Sequence, residues 1–430
     1  MPRLASLIRT TSISLAVAAV LPCATHAQGV DPLPPTTPAA AGFSAEGLAR
    51  IDAYFAREGT ANQIPGGVVA IARGGKLVYY KAHGYLDKAA GTPMPRDAIF
   101  QLASMTKVMA SVAALKLNEE GRLLLKSRLD SYYPEFANMK VGEASASGEL
   151  TLKPVAQPIY IHDLMRHTSG LPYGGRGDHP ISRLYPNGFA ALEMNSTEFL
   201  EKISKLPLAH QPGTVFEYGF SVDVLGLVVE KVSGKRLGAY LAENVWNVVG
   251  MPDTGFSVPE GKRGRMAKPL PNDPITGKPQ SIPALTTMPK FDCGGACAYG
   301  TVADYLRFGQ MLLNGGEIDG KRVLSPKTVQ VMTSNHLSPS IRNNVPLVEP
   351  HRDGYGFGLG VAVRMNDGIA AVPGTKGDYT WNGANGTAYW ADPKEKLVVV
   401  YGTVGPGEIR KYNREQLSAL VYGAMTKLQD

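Results

Sequence analysis

Cysteine is scarce in this chain: three in 430 residues, at positions 23, 293 and 297. So few thiols exclude a disulfide-stapled scaffold. The eight histidines are dispersed and no His-Glu-x-x-His occurs, so no zinc shell is indicated and no metal is expected. The Gly-x-Ser-x-Gly nucleophile elbow is also missing. No apolar run reaches the roughly 20 residues that span a bilayer, and there is no internal repeat. Charged residues make up only 19% of the chain, with a formal net charge of +7. Lys and Arg are interspersed with acids rather than gathered in a stripe, which argues against nucleic acid as a partner. What remains is ordinary globular composition, 44% hydrophobic, enough for one large domain or two coupled subdomains.

The N-terminus reads as a secretory signal over residues 1–27. Arg3 and Arg9 supply the positive start, Ile13 to Leu21 a short apolar run, and Thr25-His26-Ala27 a cleavage site of small residues. Cys23 raises lipidation as an alternative, which Pro22 opposes. Losing Arg3 and Arg9 takes the charge from +7 to +5. The expected product is exported, periplasmic and without stable membrane insertion. Two thiols then remain, in Cys293-Gly294-Gly295-Ala296-Cys297. An oxidising compartment suits a small disulfide loop there, with two buried free thiols as the alternative.

Residues 28–42, rich in Pro, Ala and Thr, read as a linker. Ser44 caps a helix with apolar positions Leu48, Ile51, Tyr54 and Phe55. The runs 67–72 and 77–84 form a hairpin around Gly74-Gly75. A helix is expected over 103–120, ended by Gly121. The stretch 122–290 holds short helical patterns (161–166, 197–203, 223–232) between irregular segments. Two long loops stand out: 142–158, small and polar, and 259–290, which carries seven prolines. After a capping pattern at Thr301 and Asp304 and a helix start at Ser325-Pro326, strands are expected at 355–363, 379–382, 387–392 and 397–403. A final helix is expected over about 411–427. The fold class is therefore α+β. Residues 43–121 and 291–430 share an antiparallel sheet flanked by helices, and 122–290 forms a mainly helical subdomain with long loops.

Chemistry concentrates at Ser104-Met105-Thr106-Lys107. One helical turn separates the hydroxyl from the ammonium and puts both on one face. A lysine can take a serine proton when burial or nearby charge lowers its pKa, and free N–H groups at a helix start favour charge developing on a carbonyl oxygen. Alone the pattern is weak, since Ser-x-x-Lys arises about once by chance in a chain this long. A capping serine with a solvated lysine is the bland alternative.

Context favours the sharper reading. Phe100 to Lys107 resembles the nucleophile motif of class C β-lactamases, D-alanyl-D-alanine peptidases and family VIII carboxylesterases. His162 to Leu171, Pro212-Gly213 with Glu217-Tyr218-Gly219, and Gly300 to Tyr305 with Leu312 to Gly316 resemble further segments of that superfamily, in the same order. The resemblance implies the β-lactamase/transpeptidase-like fold and Tyr218 as a proton shuttle. It also implies an oxyanion hole from the Ser104 and Ala384 amides. Two positions depart from the β-lactamases. Phe220 stands where an asparagine would, and Trp381-Asn382-Gly383-Ala384 replaces Lys-Thr-Gly, which resembles the family VIII esterases. Trp381, Gly383 and Phe220 are thus expected to bind substrate, Trp381 as an apolar wall with one N–H donor and Gly383 by allowing close approach. A triad through His167 is disfavoured, because its segment looks structural in the family.

These residues point to a serine carboxylesterase that cleaves small or short-acyl esters through an acyl-enzyme, without a cofactor. A β-lactamase or D-alanyl peptidase is the first alternative, and a catalytically silent wall-binding or sensor module the second. Natural substrate and oligomeric state are not legible.

Overall fold

The run Gly66 to Ala72 is apolar throughout, too continuous for a strand with one wet face. In this computed structural model it is β1 (Gly66–Arg73), buried along its whole length. The structure describes residues 31–429 apart from 145–148, 178 and 283–285; the expected leader at 1–27 lies outside them.

Nine further strands define the frame: β2 (Lys76–Asp87), β3 (Thr92–Pro93), β4 (Ile99–Gln101), β5 (Tyr299–Thr301), β6 (Tyr355–Phe357), β7 (Ala362–Arg364), β8 (Tyr379–Thr380), β9 (Ala388–Asp392) and β10 (Leu397–Thr403). The main helices are α1 (Ala45–Thr60), α2 (Thr106–Glu119), α3 (Ile161–Met165), α4 (Ser221–Ser233), α5 (Val302–Leu313) and α6 (Ile409–Gly423). One eight-stranded sheet runs in the order β6-β7-β8-β9-β10-β1-β2-β3, with every pairing antiparallel. N- and C-terminal parts of the chain meet at β1 and β10.

Alternation along β1 divides the core. Val69 and Ile71 pack with Leu48, Phe55, Leu417 and Val421 of α1 and α6. Val68, Ala70 and Ala72 face the larger cluster that includes α2 and α5. Both sheet faces are therefore covered, which explains the missing polar alternation. The larger cluster continues through Phe199, Leu227 and Phe291, so one core joins the sheet to the middle of the chain.

Differences from the sequence expectations have local causes. Within the expected linker at 28–42, residues 34–36 pair with β2 at Leu77. Thr36 N donates to Leu77 O at 2.9 Å, Leu77 N donates to Pro34 O at 2.8 Å, and Leu33 is buried. The expected loop at 142–158 contains a hairpin, Lys140–Ala144 against Leu150–Pro154. Its second strand is exposed at every position, so it has no buried face to mark it in the sequence. Helix α6 begins and ends earlier than 411–427, because Ile409 is buried and Met425 leaves the helix to bridge Phe43. At the start of α5 the capping is one-sided. Thr301 Oγ1 accepts from Asp304 N at 3.1 Å, while the Asp304 carboxylate turns to Asp253 N and Thr254 Oγ1.

The two-sided burial of β1 gives a first prediction. Ile71→Ala empties a fully enclosed site and should cost about 2–5 kcal/mol in chemical denaturation. Leu152→Ala on the exposed hairpin should stay within about 0.5 kcal/mol.

Candidate active site

Ser104 lies where β4 hands the chain to α2. The strand pairs with β5, and a 3-10 turn over Ala103–Met105 precedes the helix. Ala103 adopts φ +45°, a left-handed conformation that costs a non-glycine residue about 1–3 kcal/mol. Four hydrogen bonds hold it. Leu102 N donates to Ala298 O at 2.9 Å, and Thr106 Oγ1 donates to Ala103 O at 2.6 Å while accepting from Ala298 N at 3.1 Å. Tyr305 OH donates to Met105 O at 3.0 Å. The strained turn presents the half-buried Ser104 to a cavity of about 40 Å³ that Tyr218, Trp381, Gly383 and Ala384 also line. The N–H groups of Ser104 and Ala384 make no backbone hydrogen bond among the described residues, and both residues line this cavity.

One turn into α2, Lys107 is 1% exposed. Its Nζ donates to Gly295 O at 2.7 Å and to Tyr173 OH at 3.0 Å, and lies 4.7 Å from the centroid of the Tyr218 ring. Tyr173 OH donates in turn to Asp223 Oδ2 at 3.2 Å, and Gly295 N donates to Asp223 Oδ1 at 2.9 Å. Burial pushes the Asp223 carboxyl up to about 6, against the pull of the Lys107 charge and the Gly295 N–H. Gly295 belongs to the loop closed by a Cys293–Cys297 disulfide, both cysteines buried. A side chain at 295 would meet the Asp223 carboxylate at 2.2 Å, so glycine is required for this approach.

Tyr218 is buried beside the serine cavity, and its OH accepts from Trp381 Nε1 at 3.2 Å. A Cβ at Gly383 would come within 2.1 Å of Thr387 Oγ1 and 2.4 Å of Leu102 O, so the absent side chain lets the segment after β8 close on the segment before Ser104. Phe220 is placed elsewhere. It is fully buried and packs against Tyr173, Phe199 and Tyr185. It does not line the cavity, because the first turn of α4 directs it inward. His167 does not reach the cavity either. Its ring lies among Phe216, Tyr218 and Phe357 with both nitrogens unpartnered.

Several residues at the site escaped the sequence reading. Tyr173, Asp223 and the Gly295 carbonyl surround the lysine. Arg176, Glu349, Arg410 and Arg414 line the cavity. Arg414 pairs with Glu349 and also donates to Gly383 O. Asn382 Nδ2 and Arg352 reach the same carboxylate at 2.7 and 3.2 Å. Burial alone would raise the Glu349 pKa, but the Arg414 and Arg352 charges outweigh it and hold the group well below its ordinary value. No local motif marks these residues, since they converge from segments more than 200 positions apart. Among the described residues, no group of three or more His, Cys, Asp or Glu side chains is arranged to hold a metal ion.

The chain matches the Beta-lactamase family over residues 51–421 and belongs to it. It is 35% identical over 346 residues to Protein Rv1367c of Mycobacterium tuberculosis (strain ATCC 25618 / H37Rv), covering 79% of this chain and 86% of that one. It is 30% identical over 366 residues to Esterase EstB of Burkholderia gladioli, covering 80% and 87%. Among solved structures, EstCE1, titled a hydrolase with promiscuous acyltransferase activity, matches with a TM-score of 0.71 at 26% identity, covering 88% of this chain and 99% of that one. The expected family resemblance and β-lactamase/transpeptidase-like fold are thus borne out, and the protein is an enzyme of the serine hydrolase kind.

The enclosed His167 supplies a prediction. Burial, with the Lys107 and Arg176 charges, holds its pKa well below 6.5, so the folded chain keeps it neutral. The unfolded chain protonates it below about pH 6.5, and stability should fall as pH drops, by up to about 1.4 kcal/mol per unit. Asparagine tolerates the φ of +56° at this position and does not titrate. Between pH 6.5 and 5, wild type should lose about 1.6 kcal/mol more than His167→Asn in urea unfolding. Equal losses would contradict a neutral histidine in the fold.

Proposed function

We propose that this enzyme is an exported carboxylesterase that cleaves small, short-acyl esters through an acyl-enzyme on Ser104. The carrying observation is convergence. The serine hydroxyl, the Tyr218 phenol and two N–H donors share one cavity, with a buried ammonium beneath the tyrosine ring. In the first step Ser104 Oγ bonds to the ester carbonyl carbon and the bond to the alkoxy oxygen breaks. The Tyr218 phenol, beside the positive charge of Lys107, relays the proton: it accepts the serine proton as it hands its own to the leaving alkoxide. The Ser104 and Ala384 amides hold the oxyanion. Water then adds to the acyl carbon by the same proton path, releasing the acid and restoring the serine.

The substrate reading is supported by the cavity and by the relatives' names. Trp381 gives that site an aromatic wall where a lactam-binding strand would carry a cation. EstB is named an esterase and EstCE1 a hydrolase. Export rests on the leader pattern, and no helix among the described residues is long and apolar enough to cross a membrane.

Steady-state kinetics test the assignment. Short-chain p-nitrophenyl esters should be hydrolysed, with at most slow turnover of nitrocefin on the same preparation. Ser104→Ala, Lys107→Ala and Tyr218→Phe should each lower kcat by roughly 10² or more, and their losses should be strongly non-additive. Nitrocefin turnover far above that of p-nitrophenyl acetate and butyrate would replace the esterase reading with the lactamase one. The disulfide loop provides a separate check. With Cys293→Ala and Cys297→Ala together, the Gly295 carbonyl loses its tether to Lys107. Losing a charge-assisted hydrogen bond should lower kcat about tenfold or more with a smaller change in KM, and an unchanged kcat would remove the loop from the mechanism.

A further inference from the structure

The serine cavity is not closed. It shares Arg176, Tyr218 and Val348 with a larger cleft of about 500 Å³. The charge on the walls of this continuous space is lopsided. Among the described residues, Arg176, Arg410 and Arg414 line the inner part and Arg176 and Arg342 the outer part, against one carboxylate in each, Glu349 and Glu217.

Both carboxylates are already engaged. Glu349 receives Arg414, Arg352 and the Asn382 amide, and Glu217 receives His210 at 3.2 Å. Arg176 and Arg410 have no carboxylate partner among the described residues. The Arg176 guanidinium lies 5.0 Å from the Tyr218 ring centroid and donates only to Val348 O at 3.2 Å. Arg410 Nη1 donates to the carbonyls of Pro406 and Gly407 at 2.6 and 2.7 Å. Burial lowers the Arg410 pKa, and the Arg176 charge adds to it, while the more distant Glu349, Glu408 and Asp273 carboxylates only partly offset them. Two half-buried guanidinium groups thus line the cavity at Ser104 with backbone carbonyls as their only hydrogen-bond partners among the described residues, leaving donors for an incoming anion. A bound carboxylate supplies that anion, and a guanidinium fork matches carboxylate geometry.

We propose that the enzyme prefers esters that carry a free carboxylate, which Arg176 and Arg410 receive in the cleft adjoining Ser104. This inference rests on the esterase reading for its chemistry, because the carboxylate belongs to the ester being cleaved. It adds the substrate's charge, which that reading leaves open.

Two matched pairs test the charge and locate it. For the acyl side, p-nitrophenyl hydrogen succinate is compared with p-nitrophenyl methyl succinate. For the alcohol side, 3-carboxyphenyl butanoate is compared with its neutral 3-carbamoylphenyl analogue. In at least one pair, kcat/KM should favour the anion about tenfold or more, the scale of one charge-assisted hydrogen bond. That preference should shrink in 0.5 M NaCl. Arg176→Gln and Arg410→Gln should each reduce the anion-to-neutral ratio about tenfold, and Arg176→Lys should retain part of it. Ratios near or below one in both pairs would overturn the proposal while leaving ester hydrolysis standing. If no ester is turned over, the esterase reading fails and binding decides the charge question. Calorimetry on Ser104→Ala should show monomethyl succinate binding about tenfold more tightly than dimethyl succinate, and equal affinities would overturn it.

Discussion

The buried ammonium of Lys107 is the constraint around which the site is organised. A charge removed from water must be met by oriented dipoles or an opposite charge. Here it is met by the Gly295 carbonyl, the Tyr173 hydroxyl and, one hydrogen bond further, the Asp223 carboxylate. Each partner comes from a different part of the chain: the disulfide loop, the segment after α3 and the first turn of α4. Meeting the lysine's needs therefore draws the middle of the chain onto α2. It also fixes Tyr218 above the ammonium and beside Ser104.

A second charge cluster fastens the opposite wall. Arg414 of α6 reaches Glu349, Gly383 O and Thr387 O. The C-terminal helix thus anchors the segment that carries the Ala384 amide. The bare Gly383 lets this segment close on Leu102, and the strained Ala103 turns Ser104 toward the gap. Strain at Ala103 and desolvation at Lys107 are both costs to stability at the proposed site of the chemistry, offset by the continuous core beneath.

Much of the frame was legible because its signals are local. The apolar runs of β1 and β10, the Ser44 cap and the one-turn spacing of Ser104 and Lys107 can each be read within a few residues. The family resemblance added Tyr218, Trp381, Gly383 and Ala384, and the structure brings all four to one cavity with Ser104. Signals that depend on tertiary placement were not legible. Phe220 occupies a motif position, yet the turn it sits on points inward, so its side chain serves the core. Asp223 looks like an ordinary acid in a first helical turn, and only the fold shows that it faces a lysine 116 positions earlier in the sequence. Arg176 and Arg410 sit in unpatterned sequence, and only the assembled walls show that, among the described residues, neither makes a hydrogen bond or ion pair to a carboxylate.

The central claim is that Ser104 is the nucleophile this arrangement activates. A fluorophosphonate probe reports on it directly. Attack by Oγ forms an oxygen–phosphorus bond and expels fluoride, leaving a stable adduct that peptide mass mapping can place. The account predicts one adduct per chain, on the peptide containing Ser104, with labelling abolished in Ser104→Ala and strongly slowed in Lys107→Ala. An unlabelled protein, or an adduct mapped to another residue, would contradict it.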